Sequence, residues 1–517
     1  MLFLITLLSI LVFVQAAVVE RRAAPAGTVT FDLKKDFGAI GQAVTADTRA
    51  FREAAKAIMA RPDKAAILNI PAGNYYIRGQ RNITAAERAA DPNRQFYIFE
   101  PILKVTGLKY LEIRGNGATL SLDWHQRFGA FELDGTVASS RRQHQPQFAA
   151  SVGPVIDLWD ATGPMIVDNL NFVTLQDKLV IGNEYGDTGI QLGGSAIVLE
   201  GCPGAQLSRI TTKGMALDGI TIRDQYKKRE LGAVTTLNNV HCEGSGRQGL
   251  SWIGGNGLTV TNSRFTKTGR GKVSSSPKAG LDIEPNISPT QWTRNGLFKN
   301  CMFDDNAGPG FVAPFNRAEP AKGIDGGYAK FEDCTFIGQT TWSAKIEAPG
   351  ISFTRCKFFG TVWGASDGLG IDGVRNPSRA TTWTDCAFSD TYNGVKGGGS
   401  RTMEASGTAN AKWTRCNFTN TAASNLWIKS NIAYGAQMKL ENCRVVHGNA
   451  AMENLKHQSD LDQVNLISTA FTETQAVSTG PNKYRVWLSL SSNIDTASNR
   501  LTDYLGNTST KISWWRQ

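Results

Sequence analysis

The sequence predicts an all-β chain wound as a parallel β-helix solenoid, with one helix closing its first coil. Three observations predict it: a cysteine-centred unit that repeats about every thirty residues, a glycine-led strand phrase that repeats at the same period, and one amphipathic segment near the start.

The cysteine unit reads FKNCMF, FEDCTF, FTRCKF, WTDCAF, WTRCNF and LENCRV, centred on Cys301, Cys334, Cys356, Cys386, Cys416 and Cys443. The gaps are 33, 22, 30, 30 and 27 residues. Cys202 and Cys242 sit in weaker copies, and TVTNSRF carries Ser263 in the cysteine slot. A fixed local frame at such a period marks a repeat architecture. An Asn, Asp or Arg precedes most of these cysteines where the chain turns, and an aromatic usually follows two residues later. Residues two apart share one side of a strand. Stacked coils would therefore carry an inward ladder of small and large side chains, with free cysteine as a compact hydrophobe. This reading favours free stacked thiols over the disulfide framework that an even cysteine count in a secreted chain otherwise suggests. No CxxC or His cluster points to metal.

The phrase DGITIR, QGLSWI, AGLDIE and, more loosely, PGFVAP places Gly219, Gly249, Gly280 and Gly310 at spacings of 30, 31 and 30. That regularity predicts neighbouring rungs of one parallel sheet, about 4.8 Å apart. The helix is expected near residues 46–64, where Phe51, Ala54, Ala55, Ile58 and Met59 recur at helical spacing behind an Asp47 or Thr48 cap. A solenoid end needs such a cover over its first coil.

The opening segment FDLKKDFGAIGQAVTADTRAFREAAKAI, followed by AAILNIPAGNYYIRG, resembles the start of the pectate-lyase-like superfamily. Its members often begin with a "DFGAxGDGxTDDT" phrase, a capping helix and an "IPAGxY" strand. Gln42 and Ala43 stand where Asp-Gly is usual, and Ala46 replaces the first Asp of the pair. As a specific motif the resemblance covers residues about 34 to 79. It implies a right-handed β-helix and, for most members, action on polysaccharides as hydrolase, lyase or epimerase, with phage adhesins among them. Fold does not fix reaction.

Residues 2–14 form an apolar run too short to span a bilayer and suited to a signal segment, so residues 1–16 are expected to be a signal peptide and 17–30 a linker or propeptide. Residues 31–517 are then expected to be one β-helix domain, secreted, extracellular and monomeric. The net charge of +10 and pI near 9.1 are compatible with an acidic polysaccharide partner or with ordinary solubility. No basic run is interleaved with aromatics, so no nucleic-acid partner is expected, and no other segment could span a membrane.

Within the glycine-led rungs the apolar pairs Ile220/Ile222, Leu250/Trp252 and Leu281/Ile283 are expected to point inward. Strand alternation then puts Thr221, Arg223, Ser251, Asp282 and Glu284 on the outer face, with Arg247 and Lys278 joining them and Asp218 at the edge. An Asp-x-Glu pair offers a carboxylate acid and base. At i and i+2 their Cα atoms lie about 6.6–7 Å apart, compatible with the ~5–5.5 Å retaining or the ~6.5–9.5 Å inverting carboxyl separation.

For a glycoside hydrolase, the favoured reading, Glu284 is expected as acid and Asp282 as base. Asp218 or Asp224 could substitute, and Arg247 and Lys278 would hold substrate. For a lyase on a uronate glycan, Lys278 or Arg247 would be the base, with Arg223 or a Ca²⁺ held by Asp282 and Glu284 neutralising the uronate. Otherwise no cofactor or metal is expected. Further substrate-contacting candidates are Trp292, Trp342, Trp363, Lys345 and Glu347, with Asp367 and Asp372 weaker. Trp252, Trp383 and Trp413 fall at inward positions. The third reading is a non-enzymatic glycan-binding or adhesive β-helix protein.

Overall fold

The computed structural model describes residues 23–122, 125–223, 234–284, 293–314, 329–364 and 376–393, and shorter segments between 395 and 516. Eleven strands stack into one parallel sheet: β1 (Leu103–Thr106), β2 (Ile156–Trp159), β3 (Ile197–Glu200), β4 (Asp218–Arg223), β5 (Gln248–Trp252), β6 (Ala279–Ile283), β7 (Phe311–Ala313), β8 (Ala344–Ile346), β9 (Val362–Trp363), β10 (Arg401–Ser406) and β11 (Leu426–Asn431). A second sheet of 26 strands supplies the remaining walls. Each rung of it has two legs, as in Thr293–Lys299 and Met302–Asp304, before the chain returns to the eleven-stranded sheet. This is the parallel β-helix that the thirty-residue period and the pectate-lyase-like resemblance led one to expect.

Between the two legs the chain bends through one residue of positive φ: Asn300 (54°), Asp333 (54°), Arg355 (53°), Asp385 (55°), Arg415 (54°) and Asn442 (55°). Each is the residue just before a repeat cysteine. Asn and Asp enter the left-handed region readily, whereas arginine gains nothing locally from it. Here each arginine is held by the aspartate one rung earlier. Arg355 donates Nε and Nη2 to Asp333 at 2.7 and 2.9 Å, and Arg415 does the same to Asp385 at 2.7 and 2.8 Å. The bend thus reads Asp, Arg, Asp, Arg over four consecutive rungs.

The cysteine that follows turns inward, and its S–H satisfies backbone carbonyls around the bend. Cys356 Sγ reaches Phe331 O at 3.4 Å and Thr354 O at 3.5 Å, and Cys416 Sγ reaches Trp383 O and Thr414 O at 3.5 Å. Ser263, in the same slot, donates to Thr261 O at 2.8 Å and accepts from Val240 N at 3.1 Å. Two aromatic ladders flank the thiols. Phe265, Phe303, Phe336, Phe358, Phe388 and Phe418 stack at 4.7–5.4 Å on one leg. Phe298, Phe331, Phe353, Trp383 and Trp413 stack at 4.7–5.7 Å on the other. Trp252, Trp383 and Trp413 are fully buried, as their parity required.

All eight cysteines are free and buried. Burial pushes the Cys242 thiol up to about 12 and the Cys334 and Cys356 thiols well above the usual range. A thiolate is the reactive form, so these groups are inert in the fold. Ellman's reagent is expected to label none of them in native protein and all eight after denaturation without reductant. A disulfide framework would leave the denatured protein unlabelled.

The helix expected near residues 46–64 is α1 (Thr48–Met59), and Phe51, Ala54, Ala55 and Ile58 join the core at the first rungs, where α1 lies against β1. Asp47 occupies the N-cap position without capping. Its carboxylate instead accepts from Ile40 N at 2.6 Å and Gly41 N at 3.1 Å, tying down the preceding loop. Thr48 Oγ1 accepts from Arg78 N at 2.7 Å.

Candidate functional site

On the eleven-stranded sheet the expected register is realised. Ile220, Leu250 and Leu281 pair in a row and fill the core, and so do Ile222, Trp252 and Ile283. The outward row between them runs Thr221, Ser251, Asp282, Val312, Lys345 and Trp363, one residue per rung from β4 to β9. The next outward row carries Glu200 beside Arg223, with Ile253 and Glu284 continuing the ladder through Ile253 N–Ile222 O (2.9 Å) and Glu284 N–Trp252 O (3.1 Å).

Alternation fails at the glycines. A Cβ on Gly219 would stand 2.7 Å from Cys242 Sγ and 2.5 Å from Gly249 O. One on Gly249 would meet Gly280 O at 2.7 Å and Phe265 Cβ at 3.1 Å, and one on Gly280 would meet Gly310 O at 2.7 Å. Glycine is therefore required by close approach, and it faces the core just as the residue after it does. Two consecutive inward positions shift the parity of the strand residue just before them. The residue directly ahead of the glycine, Asp218 or Gln248, consequently reaches the outer face.

That shift builds the cluster. Asp218, completely buried, accepts from Arg247 Nε at 2.9 Å and Nη2 at 2.6 Å, and from Thr221 Oγ1 at 3.0 Å. Thr221 Oγ1 is in turn 3.1 Å from Ser195 Oγ. One rung on, Gln248 Nε2 donates to Asp282 Oδ2. Asp282 is only 2% exposed, and its Oδ1 has no hydrogen-bond partner; Gln248 Oε1, equally buried, has none either. Glu284, two residues along, is exposed.

Burial pushes the Asp282 carboxyl well above the usual carboxylate range, and the charges of Glu284 and Asp218 add to that, against opposition from Arg247 and Gln248. The Arg247 guanidinium loses water on burial, but Asp218, Asp282 and Glu284 outweigh that and hold it charged. The two carboxyls are set apart by their surroundings: Asp282 is buried, which favours its proton, and Glu284 is exposed.

The structure thus brings Asp218, Arg247, Asp282 and Glu284 together, and it adds Gln248, which strict alternation had placed indoors. Lys278 is a correction. It is one rung from Arg247, but it sits in a turn at φ 60° with its side chain along Gly269, and it is not among the main charges acting on Asp282. Arg223 stands beside Glu200 rather than Asp282; burial raises the Glu200 carboxyl and Arg223 opposes it. Lys345 and Glu347 form an ion pair at 3.5 Å, and Lys345 Nζ lies 5.0 Å from the centre of the Trp363 ring, which stacks on Trp342 at 5.3 Å. Asp224, Trp292, Asp367, Asp372 and the leader segment lie outside the described residues. Among the described residues no group of three or more His, Cys, Asp or Glu could hold a metal ion.

Fold and site together define a parallel β-helix protein with one buried carboxyl, Asp282, and one exposed carboxyl, Glu284, on the outer face of its eleven-stranded sheet. No protein-family model matches the chain, and no curated protein matches it. Solved structures similar to it include the Agl-KA catalytic domain (TM-score 0.49, 13% identity, 92% of this chain and 69% of that one) and the mannuronan C-5 epimerase AlgE6 A-module of Azotobacter vinelandii (0.44, 12%, 85% and 99%). The catalytic unit of the GH87 alpha-1,3-glucanase from Streptomyces thermodiastaticus is another (0.39, 12%, 81% and 69%). Likeness at this level says nothing about the reaction.

Proposed function

We propose that the protein is a carbohydrate-active enzyme that hydrolyses a glycosidic bond in a polysaccharide, with Asp282 as general acid and Glu284 as its partner base or nucleophile. The observation that carries this reading is the division between the two carboxyls: one buried, where loss of its proton is disfavoured, the other exposed and two residues away. Asp282 gives its proton to the departing glycosidic oxygen. Glu284 either takes a proton from the attacking water or itself attacks the anomeric carbon, after which water releases the sugar and returns the proton. This reverses the roles that the sequence suggested for the pair, because environment rather than order along the strand sets which one keeps its proton.

The lyase alternative is disfavoured by its bases. Arg247 is committed to Asp218 through two hydrogen bonds, and Lys278 is turned along Gly269. A second reading, glycan binding without cleavage, is favoured by one observation: at 2% exposure Asp282 resembles a buried structural group.

Purified protein incubated with neutral and acidic polysaccharides separates these readings. Hydrolysis is expected to release reducing ends without ultraviolet absorbance from unsaturated uronates, and to be indifferent to EDTA. Reducing ends accompanied by that absorbance would establish a lyase, and retention on a polysaccharide column with no cleavage would leave the binding reading.

A further inference from the structure

From the outer face of β8 and β9 we infer that Trp342, Trp363, Lys345 and Glu347 form a binding subsite for a neutral pyranose unit of the same polysaccharide. This rests on the reading of that face as a glycan surface.

Position is the first argument. Lys345 is two rungs from Asp282 in one outward row and Trp363 is three, which at the rung spacing is about 10 and about 14 Å. A chain lying along the solenoid axis over the acid would pass across both. Core filling is the second. In these rungs Ala344, Ile346 and Val362 supply the inward side chains, and neither tryptophan belongs to the core. Two indoles on an outward face, half-buried and stacked at 25°, are not needed to close the barrel. Flat aromatic surface with a polar neighbour suits the apolar face of a sugar ring and its hydroxyls.

Charge decides the class of sugar. Lys345 is neutralised by Glu347 at 3.5 Å, so the pair presents one donor group and one acceptor group side by side. That combination matches neighbouring hydroxyls on a neutral ring. A uronate carboxylate would have to displace Glu347 or lie against it, which costs binding. The protein's overall charge of +10 is therefore no guide to this surface.

The test uses full-length protein carrying Asp282→Asn, so that binding is read without turnover. Dextran, laminarin and soluble starch serve as neutral probes, and polygalacturonate and alginate as acidic ones, followed by tryptophan fluorescence and calorimetry. At least one neutral glucan is expected to bind more tightly than either uronate. Trp363→Ala should weaken it roughly tenfold, with Trp363→Phe restoring most of that and both keeping the parent Tm. Glu347→Gln frees Lys345 and should raise uronate affinity several-fold.

Unchanged glucan affinity in the Trp363→Ala protein at native Tm overturns the subsite, as does preference for uronates in the parent. The two proposals fail separately. Binding that depends on Trp363 in a wild type that cleaves nothing upholds the subsite and removes the reaction. Cleavage with a KM indifferent to Trp363→Ala does the opposite.

Discussion

Asp282→Asn is expected to lower kcat by about 10²–10⁴-fold, the range for loss of a general acid or base, on whichever polysaccharide the wild type cleaves. The same substitution should not harm the fold. Asn is nearly isosteric with a protonated carboxyl and can still accept from Gln248 Nε2, the bond the wild-type side chain makes. The pH dependence of stability then distinguishes an acid from a bystander in the protein itself. In the unfolded chain this carboxyl loses its proton near pH ~3.9, while in the fold burial and Glu284 hold the proton to higher pH.

Above the lower value the folded state binds more protons than the unfolded one, so wild-type stability falls as pH rises, until the folded-state pKa is passed. The amide has no proton to lose. Urea titrations from pH 4 upward should therefore show the variant gaining steadily on wild type. Glu284→Gln should also cut activity, and it should shorten the pH range over which wild-type stability falls, because it removes a charge that raises the Asp282 carboxyl. A variant at position 282 that retains full activity would reduce the pair to a structural feature, and parallel stability curves would show that Asp282 is ionised in the fold.

Phe336→Ala is expected to cost about 3–5 kcal/mol, the range for removing a large aromatic from a packed core. Its ring stacks on Phe303 at 4.8 Å and Phe358 at 4.9 Å, and it meets Phe331 at 5.5 Å and Phe353 at 5.9 Å from the other ladder. Each rung of a solenoid contacts only its neighbours, so damage there removes both interfaces of one rung. Equilibrium urea unfolding measures the loss, and Lys330→Ala, an exposed change in a neighbouring strand, serves as the control that should stay within about 0.5 kcal/mol. A loss below 1 kcal/mol for Phe336→Ala would show that the aromatic ladder is incidental to stability.

The fold was legible because it is periodic. FKNCMF and its copies encode the same bend, thiol and ring at each rung, so one local reading repeated along the chain fixes which side chains face inward. Rung pairing was legible for the same reason, and Ile220, Leu250 and Leu281 do lie side by side. The site was only half legible. Alternation placed Thr221, Ser251 and Asp282 outside, as the strand pairing has them, since these lie beyond the glycines in regular strand. It failed before them, where backbone approach sets two consecutive residues inward.

Gln248 was missed by that one step, and Lys278 was misdirected by the turn it occupies at φ 60°. A signal was present in the recurrent glycine itself, which in a strand interior marks close backbone approach or a bulge. That burial favours the proton on Asp282 was beyond the sequence. It depends on what shields each carboxyl, and neighbours in space set that.

The alternation of Asp333, Arg355, Asp385 and Arg415 at the bends bears on how such a chain can lengthen or shrink in evolution. Loss of either inner coil of this stretch, the one bearing Arg355 or the one bearing Asp385, would set carboxylate against carboxylate or guanidinium against guanidinium along that corner. Removing or duplicating two coils together keeps opposite signs adjacent. Insertions and deletions tolerated here should therefore come in multiples of about sixty residues, twice the repeat length.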